Sequence, residues 1–442
     1  MIARREFANA GVLMTANLLS MALPLIVLPV LAQRLGLHAF GLMALAQSVG
    51  FIAVLLVDAG FNTESMRTAG ATGETRPLQP LLDNLIARAR LALPAAAIAL
   101  ACGSMIPGLP WTYLLVSLLQ LFGTLLFAQW WLIAAGATGT LLALQLAGRI
   151  AAVGGILLWV HDPGDGLLAT ALQCGATAVS GLLFIAAILL PRWREFAALD
   201  RHGHRALRIR ATRAVGAGFL ASLSSYAPQL LLGAFSGAQQ VGLYAAAEKL
   251  VRAVVFAVSA VDQSFVAPIA RRHSIDRDAA ARASSRIVFA VFVATATLSL
   301  VLAFSAPRLV RLLFGADFAA SATILWVLCA WLPSYASRRA FLNLKFAAQA
   351  RIADIARSQY AEAVAVTALV AVGAWYGAAL GAAIGLLAAE VVAWMMLGLI
   401  GHRSDRARRG AHGLQERHTA LPCDSTTDNT ISTAAGTRSP SP

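Results

Sequence analysis

Long apolar segments follow one another along almost the whole chain, and no other sequence feature restricts its fold so strongly. A helix rises about 1.5 Å per residue, so roughly 20 apolar residues cross the ~30 Å hydrocarbon core of a bilayer. Polar and Gly/Pro-rich breaks divide the chain into twelve such segments. They lie near residues 7–32, 40–66, 81–104, 110–136, 141–161, 167–190, 214–236, 241–268, 284–306, 320–342, 353–375 and 378–401. The sequence therefore predicts an all-α polytopic membrane protein.

The composition agrees with this prediction. Hydrophobic residues make up 59% of the 442 residues and charged residues only 13%, which excludes a disordered chain and makes an ordinary soluble enzyme improbable. The four cysteines are far apart and form no CxxC or Cys/His pattern. We therefore expect neither a disulfide framework nor a metal site, and no cofactor.

Basic residues give the chain a net charge of +14, and their positions predict its orientation. Seven arginines lie in 192–213 and five in 271–286, and a further basic group crowds the tenth connection, from the end of the tenth segment to the start of the eleventh, whereas the connections between them carry almost none. That group consists of Arg338, Arg339, Lys345, Arg351 and Arg357. Because cytoplasmic loops hold the positive excess, both termini are predicted to be cytoplasmic. The same excess attracts anionic membrane lipids, and no nucleic-acid partner is expected.

An internal repeat relates the two halves of the chain. Residues 36–47, GLHAFGLMALAQ, align with residues 237–248, GAQQVGLYAAAE, at an offset of 201. Both copies open an even-numbered segment, so the predicted repeat is parallel, with six helices in each lobe. The expected domains are an N-terminal lobe with a cytoplasmic connector, a C-terminal lobe, and a polar, disordered cytoplasmic tail. They span residues 1–200, 201–401 and 402–442.

Several stretches resemble polysaccharide flippases of the multidrug/oligosaccharidyl-lipid/polysaccharide exporter superfamily. Residues 24–62, beginning PLIVLPVLAQRLG, are similar to the first two helices of that family, and residues 241–272 to its eighth helix. Residues 313–328 resemble the approach to the tenth helix, and residues 128–153 the exit of the fourth helix and the fifth helix, including Arg149. The likeness extends over residues 5–400.

The resemblance implies a function as well as a fold. Such a protein is expected to be an O-antigen-type flippase with two lobes in a V, moving undecaprenyl-diphosphate-linked oligosaccharide to the outer leaflet by alternating access. It is expected in the bacterial inner membrane and in surface polysaccharide biosynthesis, such as that of lipopolysaccharide or exopolysaccharide. Polysaccharide polymerase and glycosyltransferases are its implied partners. Where the family usually carries a basic residue after the fourth helix, residues 134–140 read AAGATGT.

Basic residues within the segments are the first candidates for substrate binding, because an ionisable group at the bilayer centre costs about 2.5–3.5 kcal/mol. Lys249 and Arg252 lie three apart on one face of the eighth segment. Glu248 precedes Arg252 by four residues, so these two can also simply neutralise each other. Arg149 can either reach back to the interface or, as the resemblance favours, hold the diphosphate through paired hydrogen bonds.

Other polar residues in the segments suggest further roles. Gln129 and Tyr226 are candidates for hydrogen bonds to sugar hydroxyls, although such side chains also join membrane helices. Asp58 and Asp262 are candidates for binding a coupling proton or sodium ion, or for pairing with a neighbouring helix. A structural role is expected for Glu362 and Glu390, because the two late helices that carry them can pair with each other. Their residue numbers place all six within the predicted segments.

Two functions compete with the flippase. A cation-coupled multidrug exporter of the same superfamily should have an acidic or aromatic cavity, whereas the three basic candidates suit an anion. A membrane glycan polymerase or ligase would need a positioned acid, base or nucleophile in a sizeable aqueous loop. The predicted external loops are short, and HEXXH and GxSxG motifs are absent. A non-enzymatic flippase is therefore the preferred interpretation, with the glycan left open.

Overall fold

A computed structural model gives the helical architecture of the protein. It describes the backbone of residues 2–419 apart from 59, 73–77, 198–203, 348 and 350. Side chains are described between residues 26 and 402 with gaps, the longest at 69–77, 196–223 and 259–264. Within these limits the structure contains helices and no strand. The α-helices are α1 Ile2–Asp58, α2 Phe61–Thr72, α3 Leu78–Ser104, α4 Trp111–Leu126, α5 Gln129–Ala134, α6 Thr138–Trp159, α7 Gly166–Phe184, α8 Trp193–Ala197, α9 His204–Ile275, α10 Arg277–Phe314, α11 Ser321–Phe341 and α12 Ile352–Thr419.

Three of these helices are long because each contains two predicted segments joined at a kink. The kinks lie at Gly36 in α1, at Gly237 in α9 and at Gly377–Ala378 in α12. Gly36 and Gly237 have φ of 69° and 81°, in the left-handed region that favours glycine. The loops predicted at 33–39, 237–240 and 376–377 are thus sharp bends within nearly continuous helix.

Seven helical stretches in the described part are long and apolar enough to cross a membrane. One of them, within α10, has a mean hydropathy of 2.6, yet only 17% of its most apolar window is buried inside the protein. Apolar side chains left exposed along a whole helix are those expected to face lipid. The chain is a polytopic all-α membrane protein. The count of twelve spans and the cytoplasmic termini stay predictions.

Helix boundaries agree with the predicted segments in some places and differ in others. The ends of α3, α6 and α11 lie within three residues of those predicted. The second segment was expected to reach residue 66, but α1 ends at Asp58, and Gly60, with φ of 83°, turns the chain into α2. The fourth is interrupted at Phe127, whose extended backbone separates α4 from α5.

The repeat is reflected in a reciprocal contact between α1 and α9. A Cβ atom on Gly41 would lie 1.8 Å from the carbonyl oxygen of Ala238, and one on Gly242 would lie 2.5 Å from that of Leu37. Both partners are related by the offset of 201, as in a contact around a two-fold axis. The largest buried apolar cluster extends across the same two helices.

The predicted domain boundaries are not tested by this contact. Residues Gly398–Pro442 separate from Met1–Leu397 as a unit of their own. Helix α12 continues to Thr419, past the predicted start of the tail at residue 402. The rest of the tail lies outside the described residues.

Candidate functional site

A cavity of about 390 Å³ lies where helices of the first half of the chain meet α9. The first half contributes side chains from α1, α4, α6 and α7 to its wall. Most of its lining residues have polar side chains, although apolar atoms make up the larger part of the lining surface. The lining residues are Gln47, Ser48, Phe51, Gln120, Arg149, Gln173, Thr177, Tyr226, Gln229, Glu248, Lys249, Arg252, Ala253 and Phe256. The structure therefore brings together four of the five predicted substrate residues, Arg149, Lys249, Arg252 and Tyr226.

Arg252 is neutralised by its neighbour on α9. Its guanidinium forms an ion pair with Glu248 at 2.6 Å and donates a further hydrogen bond, of 2.5 Å, to the carbonyl oxygen of Ser225. The same guanidinium lies 5.2 Å from the centre of the Tyr226 ring. Glu248 also accepts a hydrogen bond from the side chain of Gln229. The local ion pair considered for these two residues is thus present.

Lys249 differs from Arg252 although the two share a helix face. Its ammonium group donates a long hydrogen bond, 3.4 Å, to the side-chain oxygen of Gln47 on α1. Among the described residues, no carboxylate lies within 4.0 Å of this ammonium. Lys249 therefore presents an unpaired positive charge to the cavity.

Arg149 is the basic residue that the first half of the chain contributes to the main cavity. It is partly buried on α6 and lines the main cavity and also a smaller cavity of about 200 Å³. In the part of the chain that the structure describes, it has no ion-pair or hydrogen-bond partner. Two of the three cations in the main cavity, one from each half of the chain, thus lack a carboxylate.

The two predicted sugar-binding residues occupy different places. Tyr226 lines the main cavity and stacks on Phe51, with ring centres 4.2 Å apart. Gln129 lines the smaller cavity instead, together with Arg149 and Gln145. The break before α5 places Gln129 at the start of that short helix.

The candidates for ion coupling lie elsewhere. Asp58 ends α1, forms an ion pair with Arg88 on α3 at 3.5 Å, and accepts a hydrogen bond from Asn62. This is the pairing with a neighbouring helix that the sequence allowed, and Asp58 does not line the main cavity. The side chain of Asp262 lies outside the described residues.

Arg88 was not identified as a candidate from the sequence, although it is an ionisable residue inside a predicted segment. Its side chain is buried, and it donates a hydrogen bond of 2.7 Å to the carbonyl oxygen of Thr124. The position alone was a usable signal, because a charge within a span needs a partner.

The position of Arg338 in the structure also differs from the predicted one. The sequence assigned it to the basic connection after the tenth segment, but it is buried on α11. It donates hydrogen bonds of 2.5 and 2.8 Å to Glu362 and of 2.6 and 3.0 Å to Glu390, both on α12. Glu362 and Glu390 are therefore joined through a guanidinium and not directly to each other. Arg338 should not be counted as a loop charge.

Comparison with known proteins assigns the chain to a family. Residues 7–272, more than half of the chain, match the family described as polysaccharide biosynthesis protein. The chain belongs to this family. The resemblance to a family of polysaccharide proteins is thereby confirmed. Comparison with curated protein sequences gives no match.

Several transporters of known structure share the fold of this protein. The lipid II flippase MurJ in an inward closed conformation matches with a TM-score of 0.61 and 10% identity, over 89% of this chain and 86% of MurJ. An inward-facing MATE family multidrug transporter of the MOP superfamily matches with 0.60 and 12%, over 87% and 98%. A mutant of the Vibrio cholerae MATE transporter VcmN matches with 0.56 and 18%, over 92% and 97%. At these identities the similarity establishes the fold.

Proposed function

We propose that the protein is a flippase for undecaprenyl-diphosphate-linked oligosaccharide in the bacterial inner membrane. It moves this lipid from the inner to the outer leaflet by alternating access, as part of surface polysaccharide biosynthesis. Membership of the polysaccharide biosynthesis family and the fold it shares with a lipid II flippase support this proposal. We propose no catalytic activity of its own, and expect glycosyltransferases to supply the substrate and a polymerase to use it.

The observation that carries the proposal is the pair of unpaired cations in the main cavity. Arg149 and Lys249 face a space that already contains the neutral ion pair of Arg252 and Glu248. The cavity thus has an excess of positive charge, and in a membrane protein an uncompensated charge away from water is costly. A diphosphate carries a negative charge on each phosphate, so its binding would offset both cations. An arginine also presents paired donors to a phosphate.

The excess positive charge of the main cavity also argues against the function of a multidrug exporter. A cavity with excess positive charge repels a lipophilic cation, because like charges brought together in a water-poor site cost several kcal/mol. The shared fold by itself does not separate the two functions, since MATE transporters have it too. The unpaired cations are therefore the feature that favours the flippase.

Reconstitution provides the test. Purified protein in liposomes should move a fluorescent undecaprenyl-diphosphate-linked oligosaccharide between leaflets, measured by the fraction accessible to an impermeant quencher. Liposomes without protein are the control. Export of a lipophilic cation without movement of the lipid-linked glycan would replace the flippase with the drug exporter.

A further inference from the structure

A second cavity, of about 240 Å³, adjoins the main cavity, which we call the basic cavity because Arg149 and Lys249 line it. The two share a wall that contains Phe51, Tyr226 and Arg252. The rest of the second cavity lies among α9, α11 and α12, in the second half of the chain. A ligand bound beside Arg149 and Lys249 would therefore meet the second cavity at this shared wall.

Aromatic side chains line part of the second cavity. Trp331 and Tyr335, one turn apart on α11, stack with ring centres 4.3 Å apart. The stacked pair of Phe51 and Tyr226 forms part of the shared wall. The negative face of an aromatic ring attracts the weakly positive C–H groups of a sugar ring, which are themselves too apolar to need hydrogen bonds.

The second cavity also offers hydrogen-bond acceptors. Glu362 and Glu390 both line the cavity, and each of their four oxygens accepts a single hydrogen bond from Arg338. A carboxylate oxygen has two acceptor positions, so acceptor capacity remains for hydroxyl groups. Because Arg338 is buried between the carboxylates, a metal cation would have to displace a guanidinium held by four hydrogen bonds.

The charges of this cavity balance, unlike those of the basic cavity. Glu248 is paired with Arg252, and Arg338 and Arg339 offset the two remaining carboxylates of the described wall. The cavity therefore has no excess charge that would favour an anionic or cationic ligand. Aromatic faces, acceptors and balanced charge together suit a neutral, hydroxyl-bearing ring.

We propose that this cavity, which we call the sugar cavity, binds the neutral sugar attached to the diphosphate. The sugar stacks on the face of the Trp331 ring that Tyr335 leaves free, and its hydroxyls donate hydrogen bonds to Glu362 and Glu390. This inference rests on the proposed function, because the diphosphate in the basic cavity places the sugar at the shared wall. It assigns sugar recognition to α11 and α12, helices that were not among the sequence-predicted contacts, and away from Gln129.

The inference can be tested by binding to the purified full chain in detergent. Two lipids are compared: the methyl ester of undecaprenyl diphosphate, and undecaprenyl diphosphate carrying a neutral N-acetylhexosamine disaccharide. Their diphosphates have the same charge, so the ratio of dissociation constants reports the sugar. Trp331→Ala should reduce the advantage of the glycolipid about tenfold and leave the methyl ester unchanged. Trp326→Ala, on the same helix but outside the cavity, should leave the ratio unchanged.

The possible outcomes separate this inference from the proposed function. If Trp331→Ala has the same ratio of dissociation constants as the wild-type protein, or binds both lipids more weakly by the same factor, the proposed sugar cavity is wrong. The proposed flippase function is not affected by that result. If neither lipid binds to the wild-type protein, the proposed function fails and the sugar cavity with it. If Trp331→Ala does not fold, Trp331→Leu keeps most of the side-chain volume and removes the aromatic face, so the same ratio of dissociation constants still tests the stacking contact.

A glycolipid whose first sugar is a hexuronate should bind no better than the methyl ester. Equal binding of the neutral and the hexuronate glycolipid would contradict the preference for neutral sugars.

Discussion

At the scale of single residues, the partner of a charge decides what that charge can do. Lys249 and Arg252 are three residues apart on α9, but among the side chains that the structure describes only Arg252 has a carboxylate partner. The unpaired Lys249 can bind an anion without first losing an ion pair, whereas Arg252 would have to give up Glu248. Arg149 resembles Lys249 in this respect, although it lies in the other half of the chain.

Substitution of the unpaired cations should therefore impair transport of every accepted glycan. Lys249→Met removes a charged hydrogen bond to the diphosphate, worth about 1.5–3 kcal/mol, so the flipping rate should fall about 10- to 100-fold. Arg149→Lys should also be impaired despite its retained charge, because an ammonium cannot form paired hydrogen bonds. The liposome assay measures both.

Arg308→Lys is the matched control for this experiment. Arg308 is exposed on α10 and does not line the basic cavity, so its replacement should leave the flipping rate unchanged. Normal transport by Arg149→Lys would remove Arg149 from the diphosphate site.

Arg338 is expected to matter for stability in a way that an exposed arginine does not. Arg338→Met would leave Glu362 and Glu390 without their shared partner, and breaking a buried pair on one side costs about 3–5 kcal/mol. The midpoint of thermal unfolding in detergent should fall markedly. The triple variant with Glu362→Gln and Glu390→Gln removes the unpaired charges and should recover much of the loss. A triple variant no more stable than Arg338→Met would contradict this account.

At the scale of helices, glycines set how closely the two halves approach. Helices α1 and α9 contact through Gly41 and Gly242, each of which packs on backbone atoms of the other helix. Hydrogen bonds between the halves lie close to this contact: Lys249 bonds Gln47, and Ser48 donates to Gln229 at 2.5 Å. The alternating access that we propose would move one half against the other, and such a movement must break these bonds.

A methyl group at Gly41 should disturb this packing. The Cβ atom of Gly41→Ala would meet the backbone of Ala238, which cannot yield as a side chain can, so we expect destabilisation of about 1–3 kcal/mol. Gly154→Ala is the control, because nothing lies within 4 Å of its Cβ position and alanine favours a helix. Thermal unfolding of the two variants in detergent gives the comparison. Equal midpoints for both would show that the contact is not tight.

At the scale of the whole molecule, the charge is distributed unequally over the two copies of the repeat. The offset of 201 relates Gln47, Ser48 and Phe51 to Glu248, Lys249 and Arg252, so neutral residues in one half match charged residues in the other. The first half supplies its positive charge from Arg149 on α6 instead. The cavity is thus asymmetric although the helices around it repeat, and an asymmetric ligand such as a lipid-linked glycan fits that arrangement.

The orientation of the molecule is a prediction that labelling can check. In a variant whose four native cysteines are replaced by serine, a cysteine at Gly164 should react with an impermeant reagent in intact cells. A cysteine at Gly203, in the arginine-rich connection, should react only after the cells are opened. The reverse pattern would invert the predicted topology, and labelling of both would contradict the predicted span count.

The sequence alone determined the class of the protein, most helix positions and the repeat, because hydropathy, charge along the chain and internal similarity are properties of consecutive residues. It also indicated Arg149, Lys249 and Arg252, since a charge inside an apolar segment is visible without a fold. Only the tertiary structure decided which of these charges is neutralised, and that Gln129 lies beside a different cavity. The same holds for the partners of Arg88 and Arg338, which come from other parts of the chain. Which side chains meet across a helix interface depends on how the helices pack and rotate, and a segment's own sequence does not contain that information.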